Sequence, residues 1–347
     1  MCELFAINSR EPFVANDYLR EFFSHSTRHP DGWGIASRVE PDGTGRISHA
    51  QGSYARESHA RESHTQGSDV QGSHAQESGG KRPDAWGSGT QGSYARGPDA
   101  SEAGGGHASE AGHGVAGAAA TSVELHREPV AAYASELLPR LLDEPIRSRH
   151  LIAHIRRSTG GGKLVENCHP FLASDISGTE WAMAHNGIVF NEQLTYGYEG
   201  VEQGKTDSER AMLFFMDCLD EATLRAGGRL DFAGRFDALA SAIMQFSNLN
   251  RLNVILSDGT YTYVHTNTDI VTLRYRSVPE TGTTVVATTP LGAPDEVALW
   301  RPVPQYRLVA FRGDEIVRMS KPHAYVFAEA ILALRKAYGD SWQQVLS

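Results

Sequence analysis

Short, nearly continuous apolar runs alternate along this chain with longer stretches of helical period. His150-Leu151-Ile152-Ala153-His154-Ile155, Trp181-Ala182-Met183-Ala184-His185 and Leu252-Asn253-Val254-Ile255-Leu256 predict buried strands. Cys2-Glu3-Leu4-Phe5-Ala6-Ile7 reads the same way, and further strands are predicted over 32–38, 122–127, 261–265, 283–288 and 306–311. Helical spacing predicts a short amphipathic helix over 14–24 and a second over 131–142, with Leu137, Leu138, Leu141 and Leu142 on one side. A last helix is predicted over 325–338. Thr206-Asp207-Ser208-Glu209 opens another as a capping box, with Thr206 at the N-cap and Glu209 at the third helical position. Strands from both ends of the chain, with helices between, predict a layered α+β or α/β architecture.

One segment follows neither period. From 41 to 121 the chain is built of Gly, Ser, Ala, His, Gln and Glu, with almost no branched aliphatics. Gln51-Gly52-Ser53-Tyr54-Ala55-Arg56 recurs as Gln91-Gly92-Ser93-Tyr94-Ala95-Arg96. Such a tract buries too little apolar surface to offset its ordering entropy, and no repeat has the apolar face a solenoid needs. A disordered low-complexity insertion is predicted, interrupting the hairpin formed by its two flanking strands; loop closure costs little more as a loop grows. Its histidines, among them His49, His59 and His107, lack the Cys partners or helical spacing of a metal site, and no metal is expected.

The net charge of −10 and pI near 5.8 disfavour nucleic acid or an anionic membrane as a partner held by bulk charge. Three cysteines, Cys2, Cys168 and Cys218, do not make a disulfide framework. Neither a signal peptide nor a membrane span is read in the sequence, so a soluble cytoplasmic protein is expected.

Candidate chemistry begins at Cys2. Removal of Met1 would leave a thiol and a free α-amine, of pKa roughly 7.7–8.0, on one residue. That is a nucleophile with its own base, although the same residue also serves simply as the start of a buried strand. Arg156 follows an apolar strand and precedes Gly160-Gly161-Gly162, a position suited to gripping a carboxylate or equally to a surface arginine. In His185-Asn186-Gly187 a side-chain amide and the next N–H could serve an oxyanion, but Asn-Gly is also a common hairpin turn. Asp207, in the first turn of its helix with its carboxylate free, could accept from an ammonium group. His29-Pro30-Asp31-Gly32-Trp33-Gly34 predicts a tight turn into a strand.

Read together, the terminal Cys, Ala-His-x-Arg-x-x-Thr, His-Asn-Gly and Gly-x-Thr-Asp-Ser-Glu resemble the class II glutamine amidotransferases. The likeness is greatest to their stand-alone branch, which includes the γ-glutamyl hydrolase of ergothioneine biosynthesis. The resemblance implies an α+β fold, the four-layer αββα sandwich of N-terminal-nucleophile hydrolases. The family domain would comprise 2–40 and 122–320, with 321–347 as a C-terminal helix packed on it. It further implies Cys2 as nucleophile, Asn186 and Gly187 as oxyanion hole, Arg156 on the α-carboxylate and Asp207 on the α-ammonium of glutamine or a γ-glutamyl amide. Thr159 and His169 would line the glutamyl pocket. No cofactor is implied. Glu3 and His29-Pro30-Asp31-Gly32-Trp33-Gly34 depart from the pattern of many amidotransferases, which leaves the leaving group open. The alternatives are a glutaminase subunit feeding ammonia to a separate synthetase partner, and a non-catalytic binding protein.

Overall fold

A computed structural model describes residues 2–39, 122–158, 162–268, 272–324 and 336–341. The repeat segment at 41–121 lies outside these residues, as does most of the predicted terminal helix, of which 336–338 are helical. The elements in chain order are β1 (Glu3–Val14), α1 (Asn16–Ser24), β2 (Trp33–Val39), β3 (Ser122–Glu128), α2 (Leu137–Asp143), β4 (Arg147–Ile155), β5 (Phe171–Ser174) and β6 (Glu180–Ile188). They continue as α3 (Asp207–Ala226), α4 (Phe232–Phe246), β7 (Arg251–Ser257), β8 (Thr262–His265), β9 (Arg274–Val278) and β10 (Thr283–Ala287). The last are α5 (Pro294–Val297), β11 (Arg301–Pro302), β12 (Leu308–Arg312) and β13 (Glu315–Met319).

The strands form two antiparallel sheets, ordered β11-β9-β10-β1-β4-β2-β3 and β13-β12-β8-β7-β6-β5. Strand parity divides the core into three apolar layers. Phe5 and Ile7 of β1 face α1 and α2, packing with Leu19, Phe22 and Leu138. Leu4 and Ala6 face the second sheet, against Ala184, Ile255 and Val264. Behind that sheet, Met183, Val254 and Tyr263 pack on Phe215 of α3 and Phe246 of α4. The result is a four-layer αββα sandwich, each layer closing an apolar face that the next would otherwise expose to water.

The strands read from the sequence and the helices over 14–24 and from Thr206 are present with shifted ends; the helix read over 131–142 is altered, and β5, β9, β11, β13, α4 and α5 are additions to that reading. The predicted helix over 131–142 is broken: a 3₁₀ turn spans Ala132–Ala134, Ser135 is extended, and α2 starts at Leu137. At the break, Ser135 Oγ accepts the Leu138 N–H at 2.9 Å, satisfying one of the free donors at the start of α2. α4 is an addition to the sequence reading; Asp231 caps it by accepting the Gly234 N–H at 2.7 Å, and Phe236, Leu239, Ile243 and Phe246 form its buried face. The capping box of α3 is half as expected. Thr206 Oγ1 accepts from Glu209 N at 3.2 Å, but the Glu209 carboxylate reaches past Thr206 to the N–H groups of Gln203 and Gly204, both at 2.8 Å. β2 and β3 pair from Trp33↔Glu128 out to Val39↔Ser122, so residues 40–121 connect adjacent antiparallel strands. No helix among the described residues is long and apolar enough to cross a membrane.

Several histidines are buried without charge. Burial, together with the charges of Arg38 and Arg149, lowers His150 to about 3, and burial beside His323 lowers His265 to about 3. In an unfolded chain these side chains titrate near 6.5. Their contribution to stability is therefore complete above that pH and is lost as the pH falls toward 3, by about 1.4 kcal/mol per pH unit for each group. Thermal melts should show a midpoint that falls steadily below pH 6.5. A flat profile down to pH 5 would show that the folded protein accepts these protons.

Candidate active site

Cys2 lies one residue ahead of β1 and shares the parity of Leu4, Ala6 and Asn8, which places its thiol at one end of the layer between the sheets. Its Sγ accepts from the Arg157 N–H at 3.3 Å and lies 3.5 Å from the Arg157 carbonyl oxygen. Burial pushes the thiol above its ordinary value; the Arg157 N–H and the Arg156 charge oppose the shift, and the Asp207 carboxylate adds to it. A thiol held this way is protonated at neutral pH and needs a base to become a nucleophile.

From the other sheet, Asn186 Nδ2 donates to the Cys2 carbonyl at 2.6 Å. An amide has two N–H donors, so one bond of this kind leaves a second hydrogen on the same nitrogen. His185-Asn186-Gly187 is not a hairpin turn. β6 runs straight through it, pairing Asn186 with Asn253 and Gly187 with Leu252, and Gly187 has no positive φ. Glycine is required at 187 for another reason, since a Cβ there would overlap the Arg251 carbonyl oxygen. The Leu252 N–H goes to Asn267 Oδ1 at 2.8 Å and its carbonyl meets His265 Nδ1 at 3.0 Å, both on the side away from β6. Antiparallel alternation then turns the Gly187 N–H away from β7 as well, beyond Phe171↔Met183 where the β5 ladder begins.

Arg156, at the end of β4, is buried and not a surface arginine. Its Nη1 donates to Gly162 O at 2.9 Å and its Nη2 to Ser158 Oγ at 3.0 Å. The turn at 29–34 holds this loop. Asp31 N donates to the Arg156 carbonyl at 3.1 Å, while the Asp31 carboxylate takes the Ser158 N–H at 2.9 Å and Lys163 at 3.1 Å. The positioning role of Asp31 was not read from the sequence, because its partners lie more than a hundred positions away.

Asp207 opens α3, and its carboxylate is not free as expected. Oδ2 accepts the Val189 N–H at 3.1 Å, because the chain leaving β6 passes directly over the helix start. Oδ1 lies 3.3 Å from Ser208 Oγ, which in turn is 2.8 Å from His185 Nδ1. His169 is buried with its ring centroid 4.3 Å from that of His154, and neither ring nitrogen of either residue has a hydrogen-bond partner. Burial, with neighbouring positive charge, holds both imidazoles well below their ordinary value.

Cys2, Arg156, His169, Asn186, Gly187 and Asp207 line one cavity of about 280 Å³. Thr159 lies outside the described residues. His185, Ser208 and Lys205 also line the cavity and were missed as site residues, although all three sit inside the motifs that were recognised. No cluster of three potential metal ligands occurs among the described residues.

A sequence model of the class-II glutamine amidotransferases matches residues 99–281, more than half of the chain. The chain belongs to that family. It is 32% identical over 150 residues to the Escherichia coli protein named "Putative glutamine amidotransferase YafJ", an alignment covering 42% of this chain and 55% of that protein. The chain spans about half the length of the curated relatives it matches. Among solved structures, it resembles a "predicted glutamine amidotransferase" from Pseudomonas aeruginosa with a TM-score of 0.51 at 18% identity, covering 91% of this chain and 100% of the other. It also resembles the glutamine phosphoribosylpyrophosphate amidotransferase of B. subtilis with a TM-score of 0.52 at 15% identity, covering 94% of this chain and 50% of that one. The fold is thus the αββα sandwich of the N-terminal-nucleophile hydrolases.

Replacing Gly187 with Ala should cost about 3 kcal/mol or more, because the added methyl meets backbone on the paired strand. Gly197→Ala, where nothing lies within 4 Å, is the matched control. Comparable melting temperatures for the two variants would contradict the close approach of β6 and β7.

Proposed function

We propose that the protein hydrolyses the γ-carboxamide of glutamine or of a γ-glutamyl amide through a thioester on Cys2. The observation that carries this reading is the convergence of Cys2, Asn186, Gly187, Arg156 and Asp207 on one cavity. At about 280 Å³ it falls just below the roughly 300–1,000 Å³ of pockets for drug-sized ligands, which suits an amino-acid-sized group. Arg156 and Asp207 supply the opposite charges that a zwitterionic glutamyl head requires, and the thiol and amide donors stand ready for its reacting end.

In this mechanism the α-amine of Cys2, freed by loss of Met1, takes the thiol proton directly or through a water. The thiolate attacks the γ-carbonyl carbon. Negative charge developing on the carbonyl oxygen is met by the Asn186 side chain and the Gly187 N–H. Collapse of the tetrahedral species expels ammonia or an amine, which carries away the proton held by the α-amine. Water, deprotonated by the same amine, then attacks the thioester and releases the γ-carboxylate. Burial favours the neutral form of the Cys2 thiol, which supports a role for this base in forming the thiolate. His169 completes the wall of the glutamyl pocket in this reading.

The Cys2→Ala variant should lose glutamate release from glutamine and from a panel of γ-glutamyl amides while keeping its melting temperature. Residual turnover at the wild-type rate would remove Cys2 as nucleophile. Asn186→Ala should lower kcat by about 10²–10³-fold, the usual loss for one oxyanion donor. Mass spectrometry of the active protein should show Cys2 as its first residue; full activity with Met1 retained would exclude the amine as base.

A further inference from the structure

Beside the charged groups of the cavity lies a short chain of polar side chains: half-buried Asp207 and buried Ser208 and His185. Ser208 and His185 are 6% and 2% exposed, and both line the cavity. The hydrogens are assigned from the partners. His185 Nε2 lies 3.3 Å from the Arg251 carbonyl oxygen, which can only accept, so this nitrogen carries the ring proton. A neutral imidazole has a single N–H, and Nδ1 is then an acceptor. The Ser208 hydroxyl, 2.8 Å from Nδ1, donates to it. With that hydrogen assigned to Nδ1, the 3.3 Å contact from Ser208 Oγ to Asp207 Oδ1, across which the hydroxyl would otherwise donate, is left without a proton. The second Asp207 oxygen is occupied by the Val189 N–H.

Two oxygens that close, both presenting lone pairs, repel unless a donor sits between them. An ammonium group fits, because it has three N–H donors and no acceptor. We infer that Ser208 Oγ is a second acceptor for the substrate's α-ammonium, paired with Asp207 Oδ1, and that His185 is the positioning residue that keeps the Ser208 hydroxyl turned away from Asp207. The inference rests on the proposed glutamyl site and adds a specificity determinant to it: a primary α-ammonium is read by two oxygens, one charged and one neutral. Were the His185 tautomer reversed, Nδ1–H would donate to Ser208, the hydroxyl would swing onto Asp207, and the carboxylate would be satisfied internally. The Arg251 carbonyl prevents this by holding the proton on Nε2. Burial lowers His185 below its ordinary value, against the opposing pull of the Asp207 charge and the Arg251 carbonyl, which is consistent with a neutral ring.

The test compares glutamine with 4-carbamoylbutanoate, which is glutamine without its α-amino group, using the full-length chain. For Ser208→Ala, the ratio of kcat/KM on glutamine to kcat/KM on 4-carbamoylbutanoate should fall about tenfold, as for partial loss of a hydrogen bond to a charged group. The change should lie in KM for glutamine, and Ser208→Thr, which keeps the hydroxyl, should restore most of the ratio. His185→Phe should lower the ratio as well although Ser208 is intact, because the hydroxyl is then free to turn onto Asp207. Equal losses on both substrates in Ser208→Ala would show a merely structural role and overturn the inference. So would a ratio kept in Ser208→Ala but lost in Asp207→Asn, an outcome that leaves the glutamyl reading standing. A wild-type enzyme that does not prefer glutamine over the des-amino compound would instead overturn the ammonium site at Asp207 and the inference with it. If His185→Phe fails to fold, the Ser208 pair decides.

Discussion

The two sheets can face each other only because the layer between them is apolar along its length and polar at its ends. Leu4, Ala6, Ile152, Ala184, Ile255 and Val264 make up the dry middle. At one end Asn8 crosses from β1 to the second sheet, donating to Thr262 Oγ1 at 3.0 Å and accepting the Gly313 N–H at 2.6 Å. At the other end the bond from Asn186 to the Cys2 carbonyl makes the same crossing. Buried amides are tolerated in such a layer when their hydrogen bonds are made, and a bond between sheets then fixes their relative position as apolar contact alone does not. The cavity lies at the Cys2 end, where the apolar layer stops.

Each charged group of the site is held by a structure that also serves the fold. Arg156 is oriented by carbonyl and hydroxyl groups of the loop that Asp31 pins. Asp207 sits at a helix start, where the helix dipole favours an anion, and Glu209 two residues on ties that start to the preceding loop through Gln203 and Gly204. Site and scaffold therefore share their hydrogen bonds. The histidines behind the cavity are kept neutral by burial. With the imidazoles neutral, the charged side chains lining the cavity are Arg156, Arg157, Glu192, Lys205, Asp207, Arg210 and Arg251.

Much of this was legible in the sequence, in particular places. The apolar run from Leu4 to Ile7, the β4 run ending at Ile155 and the cap at Thr206 are local signals, and each became the predicted element. Ser135 and Asp231 are also local signals, of a helix break and a helix start, and the periodicity reading passed over both. The ambiguity of Asn186-Gly187 was of another kind. Turn and strand are both compatible with that dipeptide, and pairing with Asn253 and Leu252, more than sixty positions away, decided between them.

Sequence by itself determined the chemistry available and the order in which it arrives: a cysteine next to the first strand, an arginine at a strand end, an amide before a glycine, an aspartate in a helix cap. It also determined which side chains share a face, because strand and helix periods are properties of the local backbone. Only the tertiary structure decided that these groups meet. Cys2 and Asn186 touch because β1 and β6 belong to different sheets that stack, and Asp207 loses one oxygen to Val189 because a loop crosses the helix start. His185 likewise meets Ser208 Oγ at 2.8 Å and the Arg251 carbonyl at 3.3 Å only because the start of α3 and β7 pack against β6. Such contacts arise from long-range packing, and no period or motif in the chain encodes the distance between atoms so far apart in sequence.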